Sequence, residues 1–389
     1  MHQHQNTENR TELADILRRY WPSFLQRHPV SHHHLKVVNS IMKCRTLAMG
    51  RHIERCQNEN CDYEVIAYNS CRDRHCPKCG GSKRLQWLAS RLKELLPIPY
   101  YHVTCTMPPM LHQLAIQNQQ IIYDMFFRAT SGTLNAFADD PRFLGAKIGF
   151  VGILHTWGKA LCLHPHIHYI VAAGGWNPTG NTWKSLPYQN KFLFPVKAMS
   201  KVIRARFIKE LKQQFSWNKL RFPGQLKEYA DPLSFHQFCQ ELSQQAWVCY
   251  AKPPFAGPDS MINYLGRYTH RVAISNQRIM EIHEEQVVFT GKDYKDNGRN
   301  KTMMLDIDIF IRRFTWHILP SGFKKIRHFG WLSPTHRSQA FDQIKQLVVQ
   351  SVNFLSDKID RVLEKVEKYT QNICPVCKEG QIEYLFNSS

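Results

Sequence analysis

An α+β fold built on an antiparallel sheet, with a small metal-stapled module before it and a basic extension after it, is predicted by three observations. Helical and strand-like segments alternate through the middle of the chain without the regular βαβα order of a doubly wound sheet. Two neighbouring β-rich runs, 147–157 and 166–175, are separated by a short turn-like segment that lets them pair antiparallel. Seven of the twelve cysteines fall into two clusters, Cys56 to Cys79 and Cys374 with Cys377, in a chain too large to need disulfides as its framework.

The elements follow in order. Residues 11–27 carry apolar side chains at helical spacing. The His-rich stretch after them, with His32, His33 and His34, reads as a surface loop between helices. A basic, Cys-rich module runs from 36 to 95, and a strand over 100–108 leads into a long helix from about 110 to 137. Glycines 174, 175 and 180 end the second β-rich run before a helix near 195–215. A short capped helix over 258–268 precedes alternating strands with turns near Asn276 and Glu284–Glu285. A basic segment, 299–328, and a helix over 336–368 complete the chain. The expected divisions are a helical segment 1–35, a zinc-binding DNA-recognition domain 36–95, a catalytic domain 96–295 and a partly helical extension 296–389.

With 389 residues, 43% of them apolar, the chain can bury real cores. Its 51 basic against 31 acidic residues give a formal charge of +20, which favours polyanions by counterion release and makes nucleic acid the leading partner class. No apolar run long enough to cross a membrane and no secretory signal is found, so a cytoplasmic protein without a membrane partner is expected.

Cys56-x4-Cys61 and Cys76-x2-Cys79 have the spacing of paired zinc knuckles, and four thiolates would close a tetrahedral, structural site. Cys71 and His75 are spare candidate ligands. Arg72, Arg74, Lys78, Lys83 and Arg84 surround the knuckle with positive charge, as a reader of DNA ends would need. Cys374-x2-Cys377 is half of such a site, with a free pair, distant partners or an intermolecular clip left open. Cys44, Cys105, Cys162, Cys239 and Cys249 read as packing residues.

His166 and His168 flank one residue on a strand, so both imidazoles project from one face and can share a metal. His155 on the preceding strand is a third ligand if the two runs pair. Three protein ligands leave positions open for phosphate oxygen and water. Mg2+ or Mn2+ is the expected ion, although imidazoles do not favour Mg2+, which prefers oxygen.

Tyr264 and Tyr268, four apart, share one face of a helix. An aromatic stripe packed on a core is the commoner reason for such spacing, but here Arg267, His270 and Arg271 crowd the segment with cations suited to phosphate. No Walker-type phosphate loop is present. The run from Arg299 to Arg327, with Phe310, Phe314, Trp316 and Phe323, suits either a single-strand stacking surface or an amphipathic core.

SCRDRHCPKC (70–79), LHTWGKALCLHPHIHYIVAAGG (154–175), YLGRYTHRVAISNQRI (264–279) and LPSGFKKIRHFGWL (319–332), in that order, resemble the two-tyrosine HUH transposases of the IS-ninety-one class of insertion sequences. The resemblance spans most of the chain. It implies a zinc-binding N-terminal domain and an HUH nuclease domain with a ferredoxin-like antiparallel sheet. It also implies His166 and His168 as metal ligands, Tyr264 as the nucleophile forming a 5′-phosphotyrosine, and Tyr268 as the second nucleophile. The expected substrate is single-stranded, transposon-end DNA, moved in a rolling-circle-like manner. A replication initiator or relaxase of the same chemistry, a non-catalytic zinc-dependent DNA-binding regulator, and a metallohydrolase without covalent attachment are the alternatives.

Overall fold

The computed structural model describes residues 11–79, 96, 98–186, 193–252, 272–293, 299–349 and 372–385. At the N-terminal end, helices α1 (Leu13–Arg27) and α2 (His32–Lys43) pack together through Leu17, Trp21, Val38 and Ile41. The His-rich stretch is not a loop. Ser31 caps α2, its Oγ accepting from the His34 amide at 3.2 Å, and the three histidines form the first turn. Strands β1 (Arg51–Cys56) and β2 (Glu64–Tyr68) then form a hairpin.

The central elements are β3 (Tyr100–Thr106), α3 (His112–Gln117), α4 (Gln119–Asp139), β4 (Gly149–Trp157) and β5 (Leu163–Ala172). A small hairpin, β6 (Gly174–Asn177) with β7 (Thr182–Ser185), precedes α5 (Val196–Ser216), α6 (Pro232–Gln244) and β8 (Val248–Lys252). The helix expected over 110–137 is interrupted at Asn118, whose side-chain amide donates to the carbonyls of Leu114 and Arg221. Strands β9 (Ile279–His283), β10 (Gln286–Asp293) and β11 (Arg299–Asp306) make a second sheet, and α7 (Ile307–Trp316), β12 (Ile326–Gly330), α8 (Pro334–Val349) and β13 (Ile382–Leu385) follow. The turn between β9 and β10 is made by Glu284 and Glu285, both at positive φ, which suits the twist of a tight hairpin.

The main sheet is antiparallel and five-stranded, in the order β12-β4-β5-β3-β8. Its two faces are legible in the alternation of β5. Ile167, Tyr169 and Val171 point into a large core shared with α4, α5 and α6. His166, His168, Ile170 and Ala172 occupy the other face, where Ile170 and Ala172 pack with Trp331 and with Ile344 and Val348 of α8. Of the tyrosines in this core, Tyr169 has its hydroxyl satisfied, its Oη lying 2.6 Å from Thr130 Oγ1.

A third core joins α1, α2, α7 and the β9–β11 sheet. Phe310, Phe314 and Phe323 are fully buried and Trp316 half-buried, so the aromatics of the basic segment serve packing rather than a stacking surface. Among the described residues, no helix is long and apolar enough to cross a membrane.

His317 ties this core to the main sheet. Its Nε2 lies 3.0 Å from the Leu161 carbonyl and must donate to it, which leaves Nδ1, 3.1 Å from Thr156 Oγ1, to accept. Burial, with a smaller effect of His75 and Arg313, pushes His317 down to about 4. Because an unfolded His protonates near 6.5, stability should be full above that pH and fall as pH drops towards 4, by about 3 kcal/mol from this group. Urea midpoints measured across that window should show a shallower acid slope for His317→Gln than for wild type; equal slopes would remove His317 as the cause.

Gly330 ends β12 at φ +61, and a Cβ there would stand 1.7 Å from the Ile148 carbonyl oxygen. Gly322 has a similar φ, +73, with nothing within 4 Å. Both Gly→Ala changes incur the left-handed penalty of about 1 kcal/mol, but Gly330→Ala should cost at least about 2 kcal/mol more, through lost β12–β4 pairing. Denaturant unfolding of the two variants checks this directly.

Candidate metal centres

The β4–β5 connection sets the histidine geometry. Ala160 and Leu161 both adopt the left-handed conformation, at φ 48° and 55°, which costs about 1–2 kcal/mol for each residue. Arg313 of α7 donates to the Ala160 carbonyl at 2.8 Å and His317 to that of Leu161, so the strained turn is held from outside. The turn fixes the register, placing His155 directly opposite His166 and Ile153 opposite His168. His155, His166 and His168 thereby converge, each offering a ring nitrogen, all within 4.8 Å of one another.

These rings are oriented from behind. His166 Nδ1 donates to the His164 carbonyl at 2.6 Å, leaving Nε2 as the ligand atom. His155, 2% exposed, stacks on Trp157 with centroids 4.8 Å apart. His168 Nδ1 lies 2.9 Å from His102 Nε2, with Thr104 Oγ1 near both, because β3 sets Thr104 opposite His168. Burial, aided by Lys252 and His166, pushes His102 down to about 4, so it is neutral near pH 7. Sequence reading passed over His102. Its signal was present in YYHVTCT, where His102 and Thr104 alternate on one strand face.

Lys325 places its ammonium 5.3 Å from the Trp157 ring centre, and burial together with Arg74 lowers it to about 7. Val272, the first described residue after the tyrosine segment, lines a small pocket with Trp157, His317 and Lys325. Tyr264, Tyr268, Arg267, Arg271, Lys83 and Arg84 lie outside the described residues.

The cysteines are grouped differently from their spacing. Cys76 and Cys79 do not meet Cys56 and Cys61; they meet Cys44 and Cys71, with all four sulfurs within 4.8 Å. Cys56 and Cys61 instead meet Cys374 and Cys377. In the first cluster, Cys79 Sγ is 3.4 Å from Cys44 Sγ and 3.6 Å from Cys71 Sγ. Arg45 and Arg72, each following a cluster cysteine, both take positive φ and turn the chain around the sulfurs. The neighbouring Cys71 and Cys76 hold the Cys79 thiol well below its ordinary range. Four converging sulfurs fit structural zinc. Cys44 was misread as a packing residue, although the repeated Cys-Arg pairs of KCRT and SCRD marked it.

His75 does not join the cluster. Its Nε2 accepts from the Leu319 amide at 3.1 Å, and its Nδ1 donates to Asp73 at 2.9 Å, so both nitrogens are occupied. Of the basic residues expected to meet DNA, Arg74 donates to the Phe323 carbonyl and Lys78 pairs with Glu12. Arg72 is exposed in a groove of about 560 Å³ lined also by Arg45, His52, Tyr68 and Tyr384.

A family model described as "Putative transposase" matches residues 149–340, and one described as a transposase zinc-binding domain matches residues 16–107. The chain is 42% identical over 378 residues to the "Putative transposase y4qJ" of Sinorhizobium fredii, covering 95% of this chain and 94% of that protein. It is 26% identical over 317 residues to the transposase for insertion sequence element IS801 of Pseudomonas savastanoi pv. phaseolicola, covering 80% and 73%. No solved structure matches. With both domains matched in order and a full-length relative well above the level at which chance resemblance ends, the chain belongs to the IS91-type transposases.

Proposed function

We propose that this transposase cleaves and rejoins single DNA strands at transposon ends through a 5′-phosphotyrosine, using a divalent ion at His155, His166 and His168. The observation that carries the reading is the three-histidine cluster on paired antiparallel strands. The strand order β8-β3-β5-β4, with helices after β3 and before β8, supports a ferredoxin-like HUH core. Three neutral imidazoles suit Mn2+ better than Mg2+. When bound, the ion supplies Lewis-acid polarisation of the scissile phosphate.

The protein's own residues do the rest. Neutral His102 accepts from His168 Nδ1 and so leaves His168 Nε2 for the ion, while the His164 carbonyl does the same for His166. Tyr264 gives up its phenolic proton to water and its oxygen attacks phosphorus; the bond from phosphorus to the 3′ oxygen breaks, and that oxygen takes a proton back from water to become a 3′-hydroxyl. The phosphotyrosine conserves the bond's free energy, so that hydroxyl can rejoin a strand without ATP. Tyr268 serves the second transfer, and Arg267 and Arg271 supply phosphate contacts. Arg45 and Arg72, with the exposed rings of Tyr68 and Tyr384, form the DNA-reading groove.

Labelled single-stranded transposon-end DNA, incubated with Mn2+ or Mg2+ and run on a denaturing gel, should show a covalent adduct. His166→Ala should reduce it by at least about 100-fold, Tyr264→Phe should abolish the first cleavage, and Tyr268→Phe should block the second. Tight binding with no adduct would favour the DNA-binding regulator instead. His102→Ala should raise the metal concentration needed for half-maximal cleavage by about 10–100-fold, and His102→Gln, whose amide oxygen still accepts, by less. An unchanged metal requirement in His102→Ala would refute the positioning role.

A further inference from the structure

We propose that Cys56, Cys61, Cys374 and Cys377 hold a second structural zinc, which clips the C-terminal strand onto the N-terminal module. Cys61 and Cys374 are 313 residues apart in sequence, yet their sulfurs lie 3.7 Å from each other. Cys56 and Cys377 are also 3.7 Å apart. A tetrahedral shell with Zn–S bonds of about 2.3 Å has edges of about 3.8 Å, whereas a disulfide needs about 2.05 Å. The separations are those of ligands around one ion.

The backbone is arranged for thiolates. The Asn58 amide donates to Cys56 Sγ at 3.4 Å, that of Val376 to Cys374 Sγ at 3.4 Å and that of Gly380 to Cys377 Sγ at 3.2 Å. Each half of the site is thus a turn whose amides face its own sulfur. Gly380 has no room for a side chain: a Cβ would lie 2.4 Å from Cys56 Sγ.

Burial does not account for the docking of this tail. Among residues 372–385, Cys374 alone is buried, and Val376 is 66% exposed. Strand β13 pairs with β1 from Ile53↔Leu385 to Cys56↔Ile382, but its side chains are half-buried or exposed. Ordering a segment costs backbone and side-chain entropy that exposed residues cannot offset. A closed four-thiolate site supplies what the apolar contacts lack. The docked strand also carries Tyr384 into the groove beside Arg45 and Arg72.

Elemental analysis of the purified full chain carrying His166→Ala, which removes one ligand of the histidine site, should give two zinc ions per chain, and adding Cys374→Ser/Cys377→Ser or Cys44→Ser/Cys71→Ser should leave one. A tail variant that keeps as much zinc as its parent would overturn the site. Should the tail variant not fold, the alkylation pattern of the unaltered chain decides. Alkylation followed by mass spectrometry should find Cys56, Cys61, Cys374 and Cys377 protected together and exposed together by a chelator. Labelling of Cys374 and Cys377 that ignores the chelator would refute the proposal. None of these readouts depends on DNA cleavage.

Discussion

Everything at the histidine cluster depends on the register between β4 and β5. A slip of one residue would turn His166 and His168 into the helix-packed core and leave Ile167 and Tyr169 in their place. The short turn at Lys159–Leu161 prevents that slip, at the cost of two left-handed non-glycine residues. It is held by Arg313 and His317, which belong to a different core from the strands they constrain. The geometry of the three histidines is therefore a product of two packed units, and α7 is as much a part of it as the strands.

The two kinds of candidate metal centre would divide the chemistry between them. Four sulfurs fill a coordination shell and leave an ion nothing to do but hold chain segments together. Three imidazoles leave room for substrate oxygen, and the strand face that carries them continues into the apolar floor of Ile153, Ile170 and Trp331. Positive charge is distributed in the same way: Arg74 donates to the Phe323 carbonyl and Lys78 pairs with Glu12, while Arg45 and Arg72 line the groove.

Much of this was legible in the sequence where the signal is local. Alternation marked β4 and β5, and two histidines one residue apart on a strand announced a shared face. The tyrosine pair and its chemistry came from family resemblance, because two aromatics at helical spacing are ordinary packing. The cysteines show why the rest was hidden. Short spacing implies that neighbours in sequence share an ion, but here each knuckle takes its partners from elsewhere: Cys76 and Cys79 from Cys44 and Cys71, Cys56 and Cys61 from the far end of the chain. Spacing identifies half-sites, and only the fold pairs them. His75 is the converse case, a residue in the right place for a ligand whose two nitrogens are already committed.

The pairing of β13 with β1 makes the fold a closed loop of chain rather than a row of independent beads. During synthesis, the ribosome has to add more than 300 residues after Cys61 before Cys374 exists, with the two cysteines 313 positions apart. The first-made part of the protein is thus among the last to be finished. A chain lacking β13 would keep the sequence of β4 and β5 whole and leave β1 with one strand partner instead of two, so a loss in one part of the sequence would be felt more than 300 residues away.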